Sequence, residues 1–194
     1  MSTNQVVVHS HTVQRLDVTI ATPVDDVISS YERLVPVIDS IDYSRLVNWE
    51  QVIEAAAAAS PSSFFVYFKG DVTAAMTGSH YTGRCVQYLM GNHTIAERMC
   101  RHDPSTMLHA PLRTVIHDDH DGNTHFIVDQ PSSHFGSYDD TAIAEVGIHL
   151  DNLLADLLAA LSAPVPGLLR PADRPSDPLS QQTPSRVDPS AGHH

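Results

Sequence analysis

The chain has 194 residues, 42% hydrophobic and 18% charged, a balance that suits one soluble folded domain and excludes wholesale disorder. Its 23 acidic residues face 11 basic ones, Lys69 being the only lysine, for a formal charge of -12. With no clustered basic footprint, nucleic acid is excluded as a partner.

The 13 histidines would nearly cancel that charge on acidification through about pH 6.5, so solubility should fall there. No basic residue precedes Arg15 and no apolar run follows Met1, which predicts no secretory signal and a cytoplasmic location. The longest apolar span, Leu150 to Leu161, is broken by Asp151 and Asp156. It falls short of the roughly 18 apolar residues of a membrane helix, so a membrane partner is not expected. Cys85 and Cys100 lack a CxxC pairing and read as free thiols.

From Gln14 to Ile20, Leu16, Val18 and Ile20 alternate with Arg15, Asp17 and Thr19, the pattern of a half-buried strand. Thr22 then reads as a cap, Pro23 as the first helical residue, and Val24, Val27, Ile28, Tyr31, Leu34 and Val35 as the apolar face of a helix ended by Pro36. A second helix is predicted from Trp49 to Ala59, capped by Asn48. Phe64 to Phe68 and Arg84 to Met90 read as strands on either side of a loop, Gly70 to Gly83, rich in Gly, Thr and Ala.

Gly91-Asn92 opens a third helix, in which Thr94 and Glu97 have capping-box spacing and Ile95, Met99 and Cys100 face inward. Leu112 to His117 and His125 to Asp129 form strands joined through Asp121-Gly122, a hairpin signal. The last helix runs from near Asp139 to Leu161, with Ile143, Val146, Leu150, Leu154, Leu157 and Leu158 on its apolar face and Glu145 and His149 on the opposite stripe. The order of elements predicts an α+β fold: a curved, mostly antiparallel sheet backed by helices, including one long C-terminal amphipathic helix. The predicted globular domain is 1-162. Residues 163-194, dense in proline, read as a disordered tail from which Val165, Leu168 and Leu169 can dock locally.

Tyr88-Leu89-Met90-Gly91-Asn92, His102-Asp103-Pro104, Ala110-Pro111-Leu112-Arg113, the acidic hairpin His117 to Gly122 and Asp129-Gln130-Pro131 occur in a characteristic order. On these motifs the stretch from about Gln87 to Leu161 resembles the bacterial domain-of-unknown-function family numbered 302. The resemblance implies a TATA-binding-protein-like fold without DNA binding, often as a homodimer.

Three groups of residues can carry chemistry. At the start of the third helix, unpaired N–H groups and the dipole favour an anionic or carbonyl oxygen, with Asn92, Arg98, Arg113 and His109 as ligand-binding residues and His93 as acid or base. His80 and Tyr81, between Gly78 and Gly83, can form a mobile flap that shuttles a proton. His117, His120 and His125 form an alternative metal set among the hairpin carboxylates. His109 and His134 can converge at one end of the sheet, whereas His9 and His11 read as mobile. No GxSxG, Walker-type or GxGxxG motif is present.

The leading expectation is a small-molecule pocket between sheet and helices, for binding alone or for acid-base isomerase, cyclase or lyase chemistry without a cofactor. The alternatives are a histidine-ligated transition-metal or haem protein, and a non-catalytic dimeric interaction module.

Overall fold

Five strands, all antiparallel to their neighbours, form one sheet in the order β1-β5-β4-β3-β2: β1 Arg15–Ile20, β2 Phe65–Asp71, β3 Cys85–Gly91, β4 Leu112–Asp118 and β5 Thr124–Asp129. The computed structural model describes residues 4–170. Period-2 alternation gives the sheet a buried face, carrying Leu16, Val18 and Ile20 on β1 and Val86, Tyr88 and Met90 on β3. Arg15, Asp17, Thr19 and Arg113 stand exposed on the opposite face, which no helix among the described residues covers. A turn at Gly122, with φ of 80°, joins β4 to β5. Such a backbone favours glycine.

Helix α1, Val24–Leu34, packs across β4 and β5. Its start differs from the sequence reading: Pro23 is extended and takes the N-cap position, its carbonyl accepting from Asp26 and Val27. Thr22 does not cap, because it lies one residue before the N-cap and makes no side-chain bond to the helix; its carbonyl accepts from Thr124 Oγ1 at 2.6 Å. Helix α2, Trp49–Ala59, has the predicted bounds, with Asn48 accepting from Gln51 N at 2.9 Å. The predicted loop from Gly70 is shorter than expected: β2 continues to Asp71, whose carboxylate caps a short helix, α3, at Val72–Ala75.

Helix α4, His93–Cys100, is capped by Asn92 rather than by a Thr94–Glu97 box; Glu97 pairs with Arg101 instead. Between β5 and the long C-terminal helix lies a short helix absent from the sequence reading, α5, Pro131–Phe135. The long helix, α6, spans Thr141–Ala160, with Asp140 accepting from the N–H groups of Ala142 and Ile143. Its predicted apolar stripe joins the inner face of the sheet in one core. His149 is half-buried rather than on an open stripe.

Helices α5 and α6 touch closely at Gly147, where a Cβ would stand 2.9 Å from Phe135 Cβ and 3.1 Å from Ser132 Cα. Asp151, fully buried on α6, holds the same junction: its carboxylate accepts from Ser132 N at 2.9 Å, Ser132 Oγ at 2.6 Å and Gln130 Nε2 at 2.8 Å.

Packing runs past the predicted boundary at residue 162. Ala163 is buried and Leu169 fully so, in a 3₁₀ turn against α6, so at least this stretch belongs to the folded body. Val165 and Leu168 are exposed, and the rest of the predicted tail lies outside the described residues. Both thiols are free. Among the described residues no helix is long and apolar enough to cross a membrane.

Candidate functional site

The most apolar cavity, of about 220 Å³, opens where β3 turns into α4. Ile95 and Met99 of α4, Leu112 of β4, Phe135 of α5 and Leu150 of α6 line it together with Tyr67, Asn92 and His93, whose polar atoms are bonded to protein groups so that the exposed wall is almost entirely apolar. Tyr67 reaches this place through an irregularity in β2. Val66 pairs with Met90 and Phe68 with Leu89, leaving Tyr67 as the extra residue of a β-bulge. A bulge breaks the strict alternation and re-aims a side chain. Here it brings the Tyr67 hydroxyl to 3.0 Å from both the backbone nitrogen and Nδ1 of His93.

On the other side of the imidazole, Nε2 lies 3.1 Å from the hydroxyl of Tyr43, which a 3₁₀ turn at Tyr43–Arg45 positions. Trp49 and Phe65 pack near the same ring. Burial pushes the His93 pKa below its ordinary value and raises that of Tyr67 to about 12, the nearby Tyr43 adding to the rise. At neutral pH both hydroxyls are therefore protonated and the imidazole is neutral. One ring nitrogen donates and the other accepts, so Tyr43, His93 and Tyr67 form a continuous hydrogen-bonded chain able to pass a proton.

The structure brings Asn92 and His93 to this cavity but separates them from the other residues expected there. Arg113 points away on the uncovered face of β4, since Leu112 and Thr114 on either side are buried. Arg98, half-buried on α4, is not among the lining residues. The first two N–H groups of α4 are already engaged, by Tyr67 and by Asn92, and are not free for a ligand oxygen.

His80 and Tyr81 line a different hollow, of about 480 Å³, together with His117, Asp119 and His120. His125 stacks on His117 with ring centroids 5.0 Å apart. Both of its nitrogens face carboxylates, Nδ1 at 2.7 Å from Asp17 and Nε2 at 3.2 Å from Asp119. The bond to Asp17, helped by Asp119, raises the His125 pKa against the opposing effect of burial. His125 is thus held as an ion-pair partner rather than as a free metal ligand, which leaves the hairpin set short of three available imidazoles.

A third hollow, of about 560 Å³, is bounded by His9, His11, His102, His109 and the acidic residues Asp103, Asp139 and Asp140. At its edge lies the one group of three metal-capable side chains found among the described residues, His11, His109 and His134. Tyr43, Tyr67 and His11 had no signal in the sequence pattern. The bulge and the path of the N-terminal segment are long-range features.

A family profile described as "Domain of unknown function DUF302" matches residues 43–163. The match starts well upstream of the resemblance seen around Gln87 and takes in α2 and β2. The chain is also similar to a solved structure, an uncharacterized conserved protein DUF302 from Bacillus stearothermophilus. Identity is 17% and the TM-score 0.54, over 76% of this chain and 97% of that one. This likeness bears on the fold alone. No curated protein matches the chain. With the profile spanning more than half of its length, the chain belongs to the DUF302 family.

Proposed function

We propose that this protein binds a small, largely apolar molecule carrying one polar group, in the cavity beneath α4, with His93 and Tyr67 as its acid-base pair. The observation that carries this reading is the apolar wall built by α4, β4, α5 and α6, with a neutral imidazole hydrogen-bonded at both nitrogens, and its partner Tyr67, among the residues that line it. Apolar cavities of about 150 Å³ accept a benzene-sized molecule, so the volume here suits one ring or a short acyl chain. Removal of a proton from the ligand would run through the Tyr67 hydroxyl to Nδ1 of His93. Ligand binding in a site of this kind is driven by burial of apolar surface and oriented by the few polar groups.

The test is a methyl NMR titration of the full chain with cyclohexanol, phenol and cyclohexanone. Shifts at Ile95, Met99 and Leu112 are expected in the wild type and none in Ala96→Phe, whose ring fills the cavity. Absence of shifts with all three probes, or unchanged shifts in a folded Ala96→Phe, would refute the reading.

A further inference from the structure

We propose that His11, His109 and His134 form a binding site for a divalent transition-metal ion of the zinc class, distinct from the cavity around His93. The topology makes the juxtaposition. His11 lies just before β1, His109 just before β4 and His134 just after β5, and in an antiparallel sheet of order β1-β5-β4 those three points fall at one end. The N-terminal segment is fixed there by two hydrogen bonds of Gln14, its carbonyl accepting from Gln130 N at 2.7 Å and its N–H donating to Ser133 Oγ at 3.2 Å. His11 is thereby carried to within ring-centroid distances of 5.9 Å from His109 and 5.8 Å from His134.

One ligating nitrogen from each histidine lies within 4.8 Å of the other two. A tetrahedral ion with metal–nitrogen bonds of about 2.0–2.1 Å needs nitrogens about 3.4 Å apart and in the plane of each ring; His109 and His134 stack with centroids 4.4 Å apart and an interplanar angle of 22°, so binding requires one of them to rotate out of the stack. His134 carries the second observation. Its Nε2 faces the Asp129 carboxylate at 3.4 Å, while its Nδ1 is buried with no hydrogen-bond partner among the described residues. A buried polar atom left unpaired is costly and calls for a partner. A carboxylate on one imidazole nitrogen with the metal on the other is the arrangement that orients histidine ligands.

Three imidazoles without thiolate or carboxylate select zinc, copper or nickel over calcium and magnesium. Three protein ligands also leave one coordination position. His11 and His109 border the 560 Å³ hollow, so that position opens toward it and accepts water or an oxygen-bearing ligand.

The test is calorimetric titration of chelator-stripped full chain with Zn²⁺ alone, paired with the visible spectrum after Co²⁺ loading. One ion per chain and the intense bands of tetrahedral Co²⁺ are expected. His11→Ala, at an exposed residue that cannot unfold the domain, and His109→Ala should each weaken Zn²⁺ binding, and Asp129→Asn should weaken it about 10–100-fold. His117→Ala/His120→Ala and His193→Ala/His194→Ala should bind as the wild type does. No saturable Zn²⁺ binding, full binding in His11→Ala and His109→Ala, or loss of binding in either control pair would overturn the proposal.

Discussion

Replacement of Asp151 by alanine should be among the most damaging single substitutions in this protein. The side chain is fully buried, and its two oxygens accept three hydrogen bonds from the residues that turn β5 into α5. Alanine would leave Ser132 N and Ser132 Oγ without the acceptors they use, while Gln130 Nε2 keeps Ser132 Oγ at 2.9 Å and the Leu168 carbonyl at 3.5 Å. An unsatisfied buried group costs about 1–3 kcal/mol; with the two side-chain donors partly able to reorient, a total of about 3–5 kcal/mol follows. For a domain of this size each kcal/mol moves Tm by about 2–4 °C, so a fall of roughly 6–20 °C is expected. Urea denaturation of wild type and Asp151→Ala, read at unchanged m, gives the free-energy difference. Asp151→Asn keeps an acceptor for Ser132 N and should lose less. A loss under about 1 kcal/mol in Asp151→Ala, or equal losses in both variants, would show that the junction does not depend on this carboxylate.

Leu154, fully buried in the α6 stripe, should cost about 2–5 kcal/mol when changed to alanine, while exposed Glu145→Ala stays within about 0.5 kcal/mol, both read by urea denaturation. The raised pKa of His125 means that its ion pairs with Asp17 and Asp119 contribute fully below its unfolded pKa, about 6.5, and fade as pH rises through the folded value. The Tm gap between wild type and His125→Gln should therefore be largest near pH 6 and close toward pH 9; a gap that widens with pH would contradict the assignment. A chain ending at Ser162 should be less stable than one ending at Arg170 by about 1.5–3 kcal/mol, the worth of burying Leu169. Equal melting temperatures would show that the contact contributes nothing.

The elements most legible in the sequence were those whose own residues carry the period. Leu16, Val18 and Ile20 announce β1, and the leucines from Leu150 to Leu158 announce α6, because burial on one face is a local pattern. What the sequence hid was set by pairing between distant segments. Tyr67 enters the cavity only because β2 is bulged against β3, a matter of register that no window of residues records. Helix α5 is too short to show a period, although Pro131 at its first position was a signal for its start. Arg113 illustrates the opposite case. Alternation with buried Leu112 and Thr114 already placed it on the far face, yet its place on the strand neighbouring the α4 turn suggested the pocket. His93 and Asn92 were identifiable from the helix start itself, whereas His11 lies on a segment with no pattern and is positioned by bonds to Gln130 and Ser133.

The place of β1 at the edge of the sheet, beside the last strand rather than the second, has a consequence for how the chain is made. Gln14 meets Ser133 across a sequence separation of 119, and every rung of the β1–β5 ladder waits for the C-terminal part to leave the ribosome. Until then the alternating face of Leu16, Val18 and Ile20 has no strand to pair with, and Val6, Val7 and Val8 just ahead of it stay open to water even in the finished fold. Late closure of so long a loop slows folding and exposes an unpaired, β-prone segment during synthesis. The same end of the sheet that gathers the three histidines is therefore among the last parts of the molecule to assemble, and a nascent chain released before β5 can build neither that edge nor anything that depends on it.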